Sequence, residues 1–248
     1  MELGTFFSEN PRVALAFSGG VDSAFLLRAA IDAGADVTAY YVKSAFQPEF
    51  ELNDAKRLAA ELGAKMRLID LDVLCDAEIT ANPANRCYYC KKRIFTAIAE
   101  AARSDGYDVL IDGTNASDDA ADRPGIRALQ ELSVRSPLRE CGITKAEVRA
   151  LSRKAGLFTW DKPAYACLAT RIPTGETITA EKLQKTERAE AFLERLGFRD
   201  FRVRLLGGNA KLQVRAEQLP LLLEKREKII AGLAPDYQSV LLDLEVRK

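Results

Sequence analysis

Short apolar runs alternate with longer amphipathic stretches through the first half of the chain. The apolar runs predict buried strands at Val13–Phe17, Val37–Val42, Met66–Leu71 and Val109–Ile111. The amphipathic stretches predict helices at Asp22–Ala33, Glu49–Leu62 and Lys91–Arg103. Strands that alternate with helices are typical of a parallel sheet with right-handed crossovers. This part of the chain is therefore predicted to form an α/β domain with a doubly wound parallel sheet.

A capping box and a proline-containing segment mark the end of this domain. Thr144-Lys145-Ala146-Glu147 has the spacing of a capping box, so it predicts one more helix, which should end at Gly156. The segment Leu157–Glu176 that follows is rich in proline and small residues. We therefore predict that the α/β domain covers residues 1–160.

The pattern changes after this segment. A charged helix is predicted at Ala180–Leu196, and Gly207-Gly208-Asn209 suits a tight hairpin turn between the strands Phe201–Leu206 and Lys211–Arg215. A helix at Glu217–Ala231 and a strand at Ser239–Val246 follow. Residues 161–248 are thus predicted to contain a linker and a small α+β domain that binds substrate or supports oligomerisation.

The charge balance narrows the range of partners. The 248 residues include 36 basic and 36 acidic side chains, so the formal net charge is zero. A neutral chain has no general attraction to nucleic acids, which would need a local basic patch. Nowhere do about 18 uncharged apolar residues follow one another, and the N-terminus lacks the features of a secretory signal. We expect a cytoplasmic protein without a membrane or nucleic-acid partner.

The sequence contains no histidine and five cysteines. The lack of histidine excludes Ser-His and Cys-His catalytic pairs and every His-ligated metal site. An odd number of cysteines argues against a disulfide framework and for thiol chemistry or metal binding. Any metal must therefore be bound by cysteines, carboxylates, carbonyl groups or water.

The hexad Ser18-Gly19-Gly20-Val21-Asp22-Ser23 lies between the first predicted strand and the first predicted helix. A glycine-rich turn at this place can direct backbone N–H groups at a phosphate, helped by the hydroxyls of Ser18 and Ser23 and by the helix N-terminus. Asp22 would repel a phosphate unless it bound Mg²⁺. The spacing fits neither a Walker A motif nor a Rossmann fingerprint. The other interpretation is that the two glycines only make a strand-to-helix turn.

Three of the five cysteines stand in two short motifs. Cys87-Tyr88-Tyr89-Cys90 is followed by the basic run Lys91-Lys92-Arg93, and Cys167 stands in the stretch ACLATRIPTGE, residues 166–176. A lone C-x-x-C is compatible with a redox dithiol, half of a zinc site or part of an iron–sulfur site. A closed zinc site would need Cys75, Cys141 or a carboxylate as its fourth ligand, whereas three thiolates suit a [4Fe–4S] cluster with one open iron. Cys75 and Cys141 are otherwise predicted to be small buried side chains.

The hexad resembles the PP-loop of the ATP pyrophosphatase superfamily. Its members cleave ATP between the α and β phosphates, transfer AMP to a carbonyl or carboxylate oxygen, and bind the released pyrophosphate in this loop. The resemblance implies that Asp22 binds Mg²⁺ and that the nucleotide is bound by Ser18, Gly19, Gly20, Asp22 and Ser23. Asp112-Gly113-Thr114-Asn115 resembles the second nucleotide motif of these enzymes, although these four residues alone would also suit a turn.

Together with this loop, the motif around Cys167 resembles the LarE family of sulfurtransferases over almost the whole chain. This family converts pyridinium-3,5-biscarboxylic acid mononucleotide into thiocarboxylates for the nickel-pincer nucleotide cofactor of lactate racemase. The resemblance implies that Cys167 supplies sulfur. Some members sacrifice this cysteine and end as dehydroalanine, whereas others hold a [4Fe–4S] cluster on three cysteines. Because Cys87 and Cys90 are present, the cluster type is favoured.

The resemblance implies further roles and partners. Cys167, Asp22 and Ser23 would be catalytic, and the cluster would be bound by Cys87, Cys90 and Cys167. The anionic mononucleotide substrate needs cations, for which the candidates are Arg171, Arg202, Arg204 and Arg215. The cofactors would be ATP, Mg²⁺ and the [4Fe–4S] cluster. A homo-oligomer is expected, with other cofactor-biosynthesis proteins as candidate partners.

Other functions stay open. A PP-loop tRNA thiolase would use the same adenylation and a similar three-cysteine cluster. An amidating relative, such as an NAD or GMP synthetase, would not need Cys167. A nucleotide-binding sensor would keep the fold without turnover, but the presence of Ser18, Asp22 and Ser23 beside Cys167 argues against it.

Overall fold

A computed structural model describes residues 2–118 and 123–247 and divides the chain into two compact units. The first unit contains the residues up to Val73 together with Asn85–Lys162, and the second contains Leu74–Ala84 and the residues from Pro163 onward. The sequence pattern gives a single boundary after residue 160, so it does not anticipate that Leu74–Ala84 belongs with the C-terminal part. No helix in the described ranges is long and apolar enough to cross a membrane.

The first unit is built on a parallel sheet. Its strands lie in the order β3-β2-β1-β4 and comprise β1 (Arg12–Ala16), β2 (Asp36–Lys43), β3 (Lys65–Asp70) and β4 (Leu110–Ile111). The predicted parallel sheet is confirmed, and each strand end lies within one residue of its predicted position. Ile111 also forms a parallel bridge with Arg135, which a pattern of apolar runs does not reveal because the pairing involves a single residue.

Helices cover both faces of this sheet. One apolar cluster contains Val13 and Leu15 together with residues of α1 (Leu3–Glu9), α2 (Val21–Asp32), α3 (Glu49–Glu61) and α8 (Lys145–Lys154). The cluster on the other face contains Ala14 and Ile98, the latter from α5 (Arg86–Ser104). Successive strand residues point to opposite faces, and both faces are buried. The predicted doubly wound arrangement is therefore confirmed.

The observed helices differ from the predicted ones in two ways that affect the site. The short helices α1, α6 (Arg123–Glu131) and α7 (Pro137–Glu140) are not predicted by the periodicity. The helix α5 begins at Arg86, five residues before its predicted start, so the C-x-x-C motif lies on the helix and not before it. The predicted capping box is present at the start of α8, where the Thr144 and Glu147 side chains accept each other's backbone amides.

The second unit contains a three-stranded sheet and three helices among the described residues. A two-residue turn, Gly207-Gly208, joins the antiparallel strands β5 (Arg202–Leu206) and β6 (Asn209–Gln213), and Gly207 has φ 58°. The strand β7 (Val240–Leu242) lies parallel to β6 and is shorter than predicted. The helices are α4 (Ala77–Thr80), α9 (Ala180–Arg195) and α10 (Leu219–Leu233). The predicted small α+β architecture is thus confirmed.

Candidate functional site

The two nucleotide motifs lie side by side at the carboxyl edge of the parallel sheet. The hexad follows β1, and Asp112–Asn115 follows β4, which pairs with β1 through Leu15 and Ile111. A Cβ atom added to Gly113 would lie 2.8 Å from the Ser23 backbone nitrogen and 3.2 Å from the Asp22 Cβ. Only glycine therefore permits this approach of the two motifs. Ligands of doubly wound folds bind at this edge of the sheet.

The loop between β1 and α2 is organised by its own side chains. The Ser18 and Ser23 hydroxyls are 3.1 Å apart; Ser18 Oγ accepts the Gly20 amide at 3.3 Å, and the Ser23 hydroxyl donates to the Gly20 carbonyl at 3.2 Å. Gly19 has φ 71°, and a Cβ there would meet the Ala55 Cβ at 3.0 Å. The result is a tightly folded glycine turn at the N-terminus of α2, a position that favours anions.

Asp22, in the first turn of α2, is bonded to two distant parts of the first unit. Asn115 Nδ2 donates to Asp22 Oδ1 at 3.2 Å, and Lys145 Nζ donates to Asp22 Oδ2 at 2.5 Å. Asn115 is fully buried, whereas the Lys145 and Asp22 side chains are 33% and 23% exposed. The structure therefore brings Asp22 and Asn115 together as the motifs predict, and it adds a cation.

The sequence pattern does not identify Lys145 as a site residue, because it shows Lys145 only as the second residue of the predicted capping box. The capping box nevertheless contains a usable signal, because it places residue 145 in the first turn of a helix. A lysine is unfavourable at a positive helix N-terminus. Such a residue needs an acidic partner, and Asp22 is the partner that the fold provides.

Asp112 is buried, with 7% of its surface exposed, and it shapes the turn after β4. Its carboxylate accepts the Ser136 hydroxyl at 2.6 Å, the Thr114 hydroxyl at 2.5 Å and the Thr114 amide at 3.3 Å. Burial raises the pKa of Asp112, and these hydrogen bonds and the positive charge of Lys91 only partly oppose that effect. The geometry favours a role for Asp112 in fixing Gly113 and Asn115 over a direct contact with nucleotide.

Cys87 and Cys90 lie three residues apart in the first turns of α5, which places them on one face of the helix. Cys87 is exposed and Cys90 is partly buried. Near the other end of α5, Arg67 of β3 donates to the Ala101 carbonyl at 3.2 Å. The C-terminal end of α5 thus lies toward the start of β3, so the two cysteines lie toward the carboxyl edge of the sheet.

In the second unit, Cys167 directly precedes a 3₁₀ turn, Leu168–Arg171, and is partly buried. Its carbonyl oxygen accepts the Thr170 amide at 3.0 Å and the Thr170 hydroxyl at 2.9 Å. Arg171 Nη1 donates to the Ala166 carbonyl at 3.0 Å and to Thr170 Oγ1 at 2.8 Å. These bonds fix the backbone on both sides of the Cys167 thiol.

Arg171 is buried and is held by Glu190 of α9. Arg171 Nε and Nη2 donate to the Glu190 carboxylate at 2.7 and 3.1 Å. The Tyr165 hydroxyl at 2.5 Å and the Val203 amide at 2.9 Å also donate to that carboxylate. Burial lowers the pKa of Arg171, but Glu190 outweighs it, so the pKa is raised overall. Every guanidinium nitrogen has a protein partner, which favours a positioning role over the predicted contact with substrate.

Arg202 and Arg204 of β5 contact the same loop. Arg202 Nη2 donates to the Ala164 carbonyl at 2.6 Å, and Arg204 Nη1 donates to the Thr170 carbonyl at 2.7 Å. Burial, and then the charges of Arg171 and Arg247, lower the pKa of both residues, that of Arg202 to about 10. Positive charges crowded in this way attract an anion. Arg215 lies beyond β6, is 40% exposed and forms ion pairs with Asp200 and Glu217.

The remaining cysteines differ from expectation. Cys75 is exposed and Cys141 is partly buried, so the prediction of small buried side chains is wrong for Cys75 and incomplete for Cys141. Cys75 stands two residues before the short helix α4, next to its N-cap Asp76, and is exposed there. Partial burial raises the pKa of Cys141. Across the described part of the chain, no group of three or more cysteine and carboxylate side chains is close enough to hold a metal ion.

Comparison with known proteins agrees with this geometry. The family model described as queuosine biosynthesis protein QueC matches residues 12–86. An uncharacterized protein of Synechocystis sp. is 40% identical over 98% of this chain and 92% of its own length. The pyridinium-3,5-bisthiocarboxylic acid mononucleotide synthase of Lactiplantibacillus plantarum is 34% identical over 94% of this chain and 86% of its own length.

A more distant relative is the tRNA-specific 2-thiouridylase MnmA of Frankia alni. It is 31% identical over 61% of this chain, which corresponds to 53% of that protein. The similarity to the synthase, in contrast, extends over nearly the whole of both chains. The chain therefore belongs to the LarE family of pyridinium-3,5-bisthiocarboxylic acid mononucleotide synthases, within the PP-loop proteins.

Proposed function

We propose that this chain is an ATP-dependent sulfurtransferase that converts the carboxylates of pyridinium-3,5-biscarboxylic acid mononucleotide into thiocarboxylates for the nickel-pincer nucleotide. The observation that carries the proposal is the meeting of three groups at one sheet edge: the loop Ser18–Ser23, the turn Asp112–Asn115 and Lys145. The same chain carries the cysteine motif at Cys167. The family relationship supports the choice of substrate.

The first step activates an oxygen that is otherwise a poor leaving group. A substrate carboxylate oxygen attacks the α-phosphorus of ATP, the bond from that phosphorus to the bridging oxygen breaks, and pyrophosphate leaves. The amides of the loop Ser18–Ser23 and the N-terminus of α2 bind the pyrophosphate. Asp22, whose carboxylate is partly exposed at this loop, fits a Mg²⁺ ligand, and the ion would neutralise phosphate charge.

Lys145 supplies a second cation to this step. Its ammonium group lies 2.5 Å from Asp22 Oδ2, beside the loop, and we propose that it moves from the carboxylate to a phosphate oxygen when the nucleotide binds. Such a cation stabilises the charge that accumulates on the departing pyrophosphate. Ser23 and Asp22 act in binding and orientation at the same place.

The substrate is an anionic mononucleotide and needs compensating charge. Arg202 and Arg204 are the candidates that the second unit offers, because their guanidinium groups donate to neutral carbonyl and amide oxygens. The ion pair of Arg202 with Asp200 is long, at 3.9 Å. Arg171 holds the Cys167 loop through Glu190, and Arg215 is engaged by two carboxylates. We therefore propose Arg202 and Arg204 as substrate-binding residues ahead of the other two.

Sulfur transfer follows because AMP is a good leaving group from the acyl adenylate. If Cys167 acts alone, its sulfur attacks the acyl carbon and AMP leaves, which gives a thioester. Removal of the Cys167 Cα proton and cleavage of its Cβ–S bond then release the thiocarboxylate and leave dehydroalanine. Each chain would thus act once, and the two carboxylates of the substrate would need two chains.

We favour a catalytic version of this step. Cys87 and Cys90 share one face at the N-terminus of α5 and have the spacing of a C-x-x-C motif. Cysteine sulfur is the usual ligand of a [4Fe–4S] cluster, and Cys87, Cys90 and Cys167 would be its three ligands, although the described residues do not bring three such side chains together as a metal-binding group. The cluster, when bound, would deliver sulfide taken up from solution as the nucleophile and leave Cys167 intact. A cytoplasmic location, assembly into a homo-oligomer and association with other cofactor-biosynthesis proteins remain predictions from the sequence.

The test is product analysis with two acceptors. Anaerobic protein is incubated with ATP, Mg²⁺ and either the pyridinium dicarboxylate mononucleotide or tRNA. We expect AMP, pyrophosphate and thiocarboxylate with the mononucleotide only. Release of ADP and orthophosphate would contradict the proposal, and stimulation by tRNA would favour the tRNA thiolase that the 31% identity to MnmA offers as the second candidate.

Two controls separate the sulfur routes. Mass spectrometry of the chain after turnover shows loss of H₂S from Cys167 only in the sacrificial route. In both routes, Cys167→Ala should still form AMP and pyrophosphate but no thiocarboxylate. In the cluster route, anaerobic protein is brown and turns over repeatedly when inorganic sulfide is added, whereas Cys87→Ala is colourless and does not. Colourless wild-type protein together with a fully active Cys87→Ala variant would contradict the cluster.

A further inference from the structure

Gln213 of β6 lies between a positive and a negative side chain on one face of the three-stranded sheet. Arg204 Nε donates to Gln213 Oε1 at 2.5 Å, and Gln213 Nε2 donates to Asp243 Oδ2 at 2.6 Å. Side chains alternate between the two faces of a strand, and the neighbouring residues Val203 and Leu212 are buried on the opposite face. The three polar residues therefore form a line across the polar face of this sheet.

The chemistry of its two neighbours fixes the orientation of the Gln213 amide. An arginine only donates hydrogen bonds, and an ionised carboxylate only accepts them. Lys211 lies 2.8 Å from the Asp243 carboxylate and, together with Gln213, holds the pKa of Asp243 below its usual value of 3.8. Because Asp243 is thus ionised at neutral pH, the Gln213 amino group must face it. This arrangement leaves the Gln213 carbonyl oxygen for Arg204.

Arg204 connects this line of residues to the loop that carries Cys167. Its Nη1 donates to the Thr170 carbonyl at 2.7 Å, and the Thr170 amide and hydroxyl donate to the Cys167 carbonyl. Both of these acceptors of Arg204, the Gln213 amide and the Thr170 carbonyl, are neutral. A neutral acceptor fixes a guanidinium group without cancelling its charge, whereas a carboxylate would form an ion pair with it.

We propose that Gln213 and Asp243 are positioning residues for Arg204: Asp243 orients the Gln213 amide, and the amide oxygen holds the guanidinium ready for an anionic group of the substrate. The inference rests on the proposed substrate-binding role of Arg204. It adds two residues that act through Arg204 without touching the substrate. It also assigns a purpose to the neutral acceptor at position 213, which is to keep the positive charge of Arg204 available.

The first variant, Asp243→Asn, removes the constraint on the Gln213 amide. Because asparagine both donates and accepts, the amide can turn its amino group toward Arg204, which has no lone pair to accept it. The substitution also releases Lys211 from its ion pair with Asp243. Charge alone therefore predicts tighter binding of an anion, whereas the positioning role predicts weaker binding.

The second variant combines Asp243→Asn with Gln213→Glu and tests the neutral acceptor. The new carboxylate accepts a hydrogen bond from the asparagine amide and forms an ion pair with Arg204, so it restores the orientation of the guanidinium but cancels its charge. This double variant keeps the net charge of the wild-type protein. The matched control is Asp236→Asn, which removes a carboxylate that is paired with Arg188 elsewhere in the second unit.

Two measurements separate orientation from charge. The NMR signal of the Arg204 Nε–H group, assigned with Arg204→Lys, reports the hydrogen bond to position 213, and calorimetry gives the affinity for the pyridinium dicarboxylate mononucleotide. We expect Asp243→Asn to broaden the signal and to weaken binding about tenfold, as for the loss of one hydrogen bond to a charged group. The double variant should show a sharp signal and still bind about tenfold more weakly than the wild-type protein. Asp236→Asn should change neither result.

The affinity for inorganic pyrophosphate, which depends on the loop Ser18–Ser23, should be equal in all variants and shows that the first unit is intact. An unchanged Arg204 signal, or equal or tighter mononucleotide binding, in Asp243→Asn would overturn the positioning role and leave the proposed function standing. Wild-type affinity in the double variant would overturn the role of the neutral acceptor. A wild-type protein that does not bind the mononucleotide would overturn the substrate role of Arg204 in the proposed function, and the inference with it.

Discussion

Lys145 Nζ lies 2.5 Å from Asp22 Oδ2, where the helix that begins with the capping box meets the pyrophosphate loop. The Lys145 and Asp22 side chains are 33% and 23% exposed, so the pair is accessible to a ligand but partly shielded from water. Asp22 alone would repel pyrophosphate, and Lys145 cancels that charge. If Asp22 binds Mg²⁺ as proposed, the lysine becomes available to the phosphate.

The first prediction concerns the charge of this lysine. Lys145→Gln should weaken the binding of inorganic pyrophosphate in the presence of Mg²⁺ at least tenfold, because a hydrogen bond to a charged group contributes about 1.5–3 kcal/mol. Binding of Mg²⁺ alone should become tighter, because Asp22 loses a competing ion pair. Lys145→Arg should restore part of the pyrophosphate affinity. Isothermal titration calorimetry measures all three affinities.

The matched control is Lys154→Gln, which removes a lysine from the last turn of the same helix. It should change neither affinity. A Lys145→Gln variant that binds both Mg²⁺ and pyrophosphate more weakly would indicate general damage to the loop and contradict the exchange between Asp22 and phosphate.

The second prediction concerns the contact of the two nucleotide motifs. Gly113→Ala would place a methyl group 2.8 Å from the Ser23 backbone nitrogen, so the turn after β4 must move away from the loop. We expect a loss of about 1–3 kcal/mol in the free energy of unfolding and a clear loss of pyrophosphate affinity. Urea denaturation and calorimetry measure the two effects.

Gly4→Ala provides the comparison, because a Cβ atom at Gly4 meets nothing within 4 Å and the residue lies in α1. It should leave pyrophosphate binding unchanged and raise stability by up to about 1 kcal/mol. Unchanged pyrophosphate affinity in Gly113→Ala would show that the motifs do not need their close approach.

Most of the fold is predictable from the sequence because its elements are strongly periodic. The central strands are continuous apolar runs, as expected for strands buried on both faces, and the Thr144–Glu147 capping box fixes the start of α8. The segment Leu74–Ala84 is not predictable in this way. Its place in the second unit depends on individual hydrogen bonds, such as that from Asn82 to the Pro173 carbonyl. Individual hydrogen bonds produce no periodic pattern of apolar residues in the sequence.

The candidate site is predictable only where a local motif defines it. The loop Ser18–Ser23 is such a motif, and the geometry of a parallel sheet brings Asn115 beside it. Lys145 is 123 residues from Asp22, and Glu190 is 19 residues from Arg171. No short sequence motif can therefore predict either ion pair. The motif identifies Arg171 only as a residue type, and its burial and its bonds to Glu190 become visible only in the structure.

The third prediction concerns the buried ion pair behind Cys167. Glu190→Gln would leave the Arg171 guanidinium buried without its counter-charge, which typically costs about 3–5 kcal/mol of unfolding free energy. Because Arg171 holds the backbone at Ala166 and Thr170, we also expect thiocarboxylate formation to fall while pyrophosphate affinity is kept. Urea denaturation and product analysis measure the two effects.

Arg188→Gln is the control, since it breaks an exposed ion pair with Asp236 from the same helix. Exposed pairs contribute about 0–1 kcal/mol. Similar losses in the free energy of unfolding for Glu190→Gln and Arg188→Gln would show that the buried Arg171–Glu190 pair contributes no more to stability than an exposed ion pair.

The last prediction concerns pH and the start of α8. The hydroxyl and the amide of Thr144 hold the pKa of Glu147 below its usual value of 4.5, because both donate to the ionised carboxylate. A carboxyl whose pKa is lower in the folded protein stabilises the fold above its unfolded pKa, and this contribution is lost as the pH falls through the folded pKa. Glu147→Gln should therefore be less stable than the wild-type protein at about pH 6, and the difference should shrink steadily below about pH 4.5. Urea denaturation across this pH range measures the difference.

Thr144→Ala should lower the free energy of unfolding by about 1 kcal/mol at neutral pH. It should also reduce the pH dependence of the Glu147→Gln difference, because the hydroxyl that lowers the pKa of Glu147 is gone. A difference between Glu147→Gln and the wild-type protein that stays constant from pH 6 into the acid range would contradict an ionised cap at the helix that presents Lys145 to Asp22.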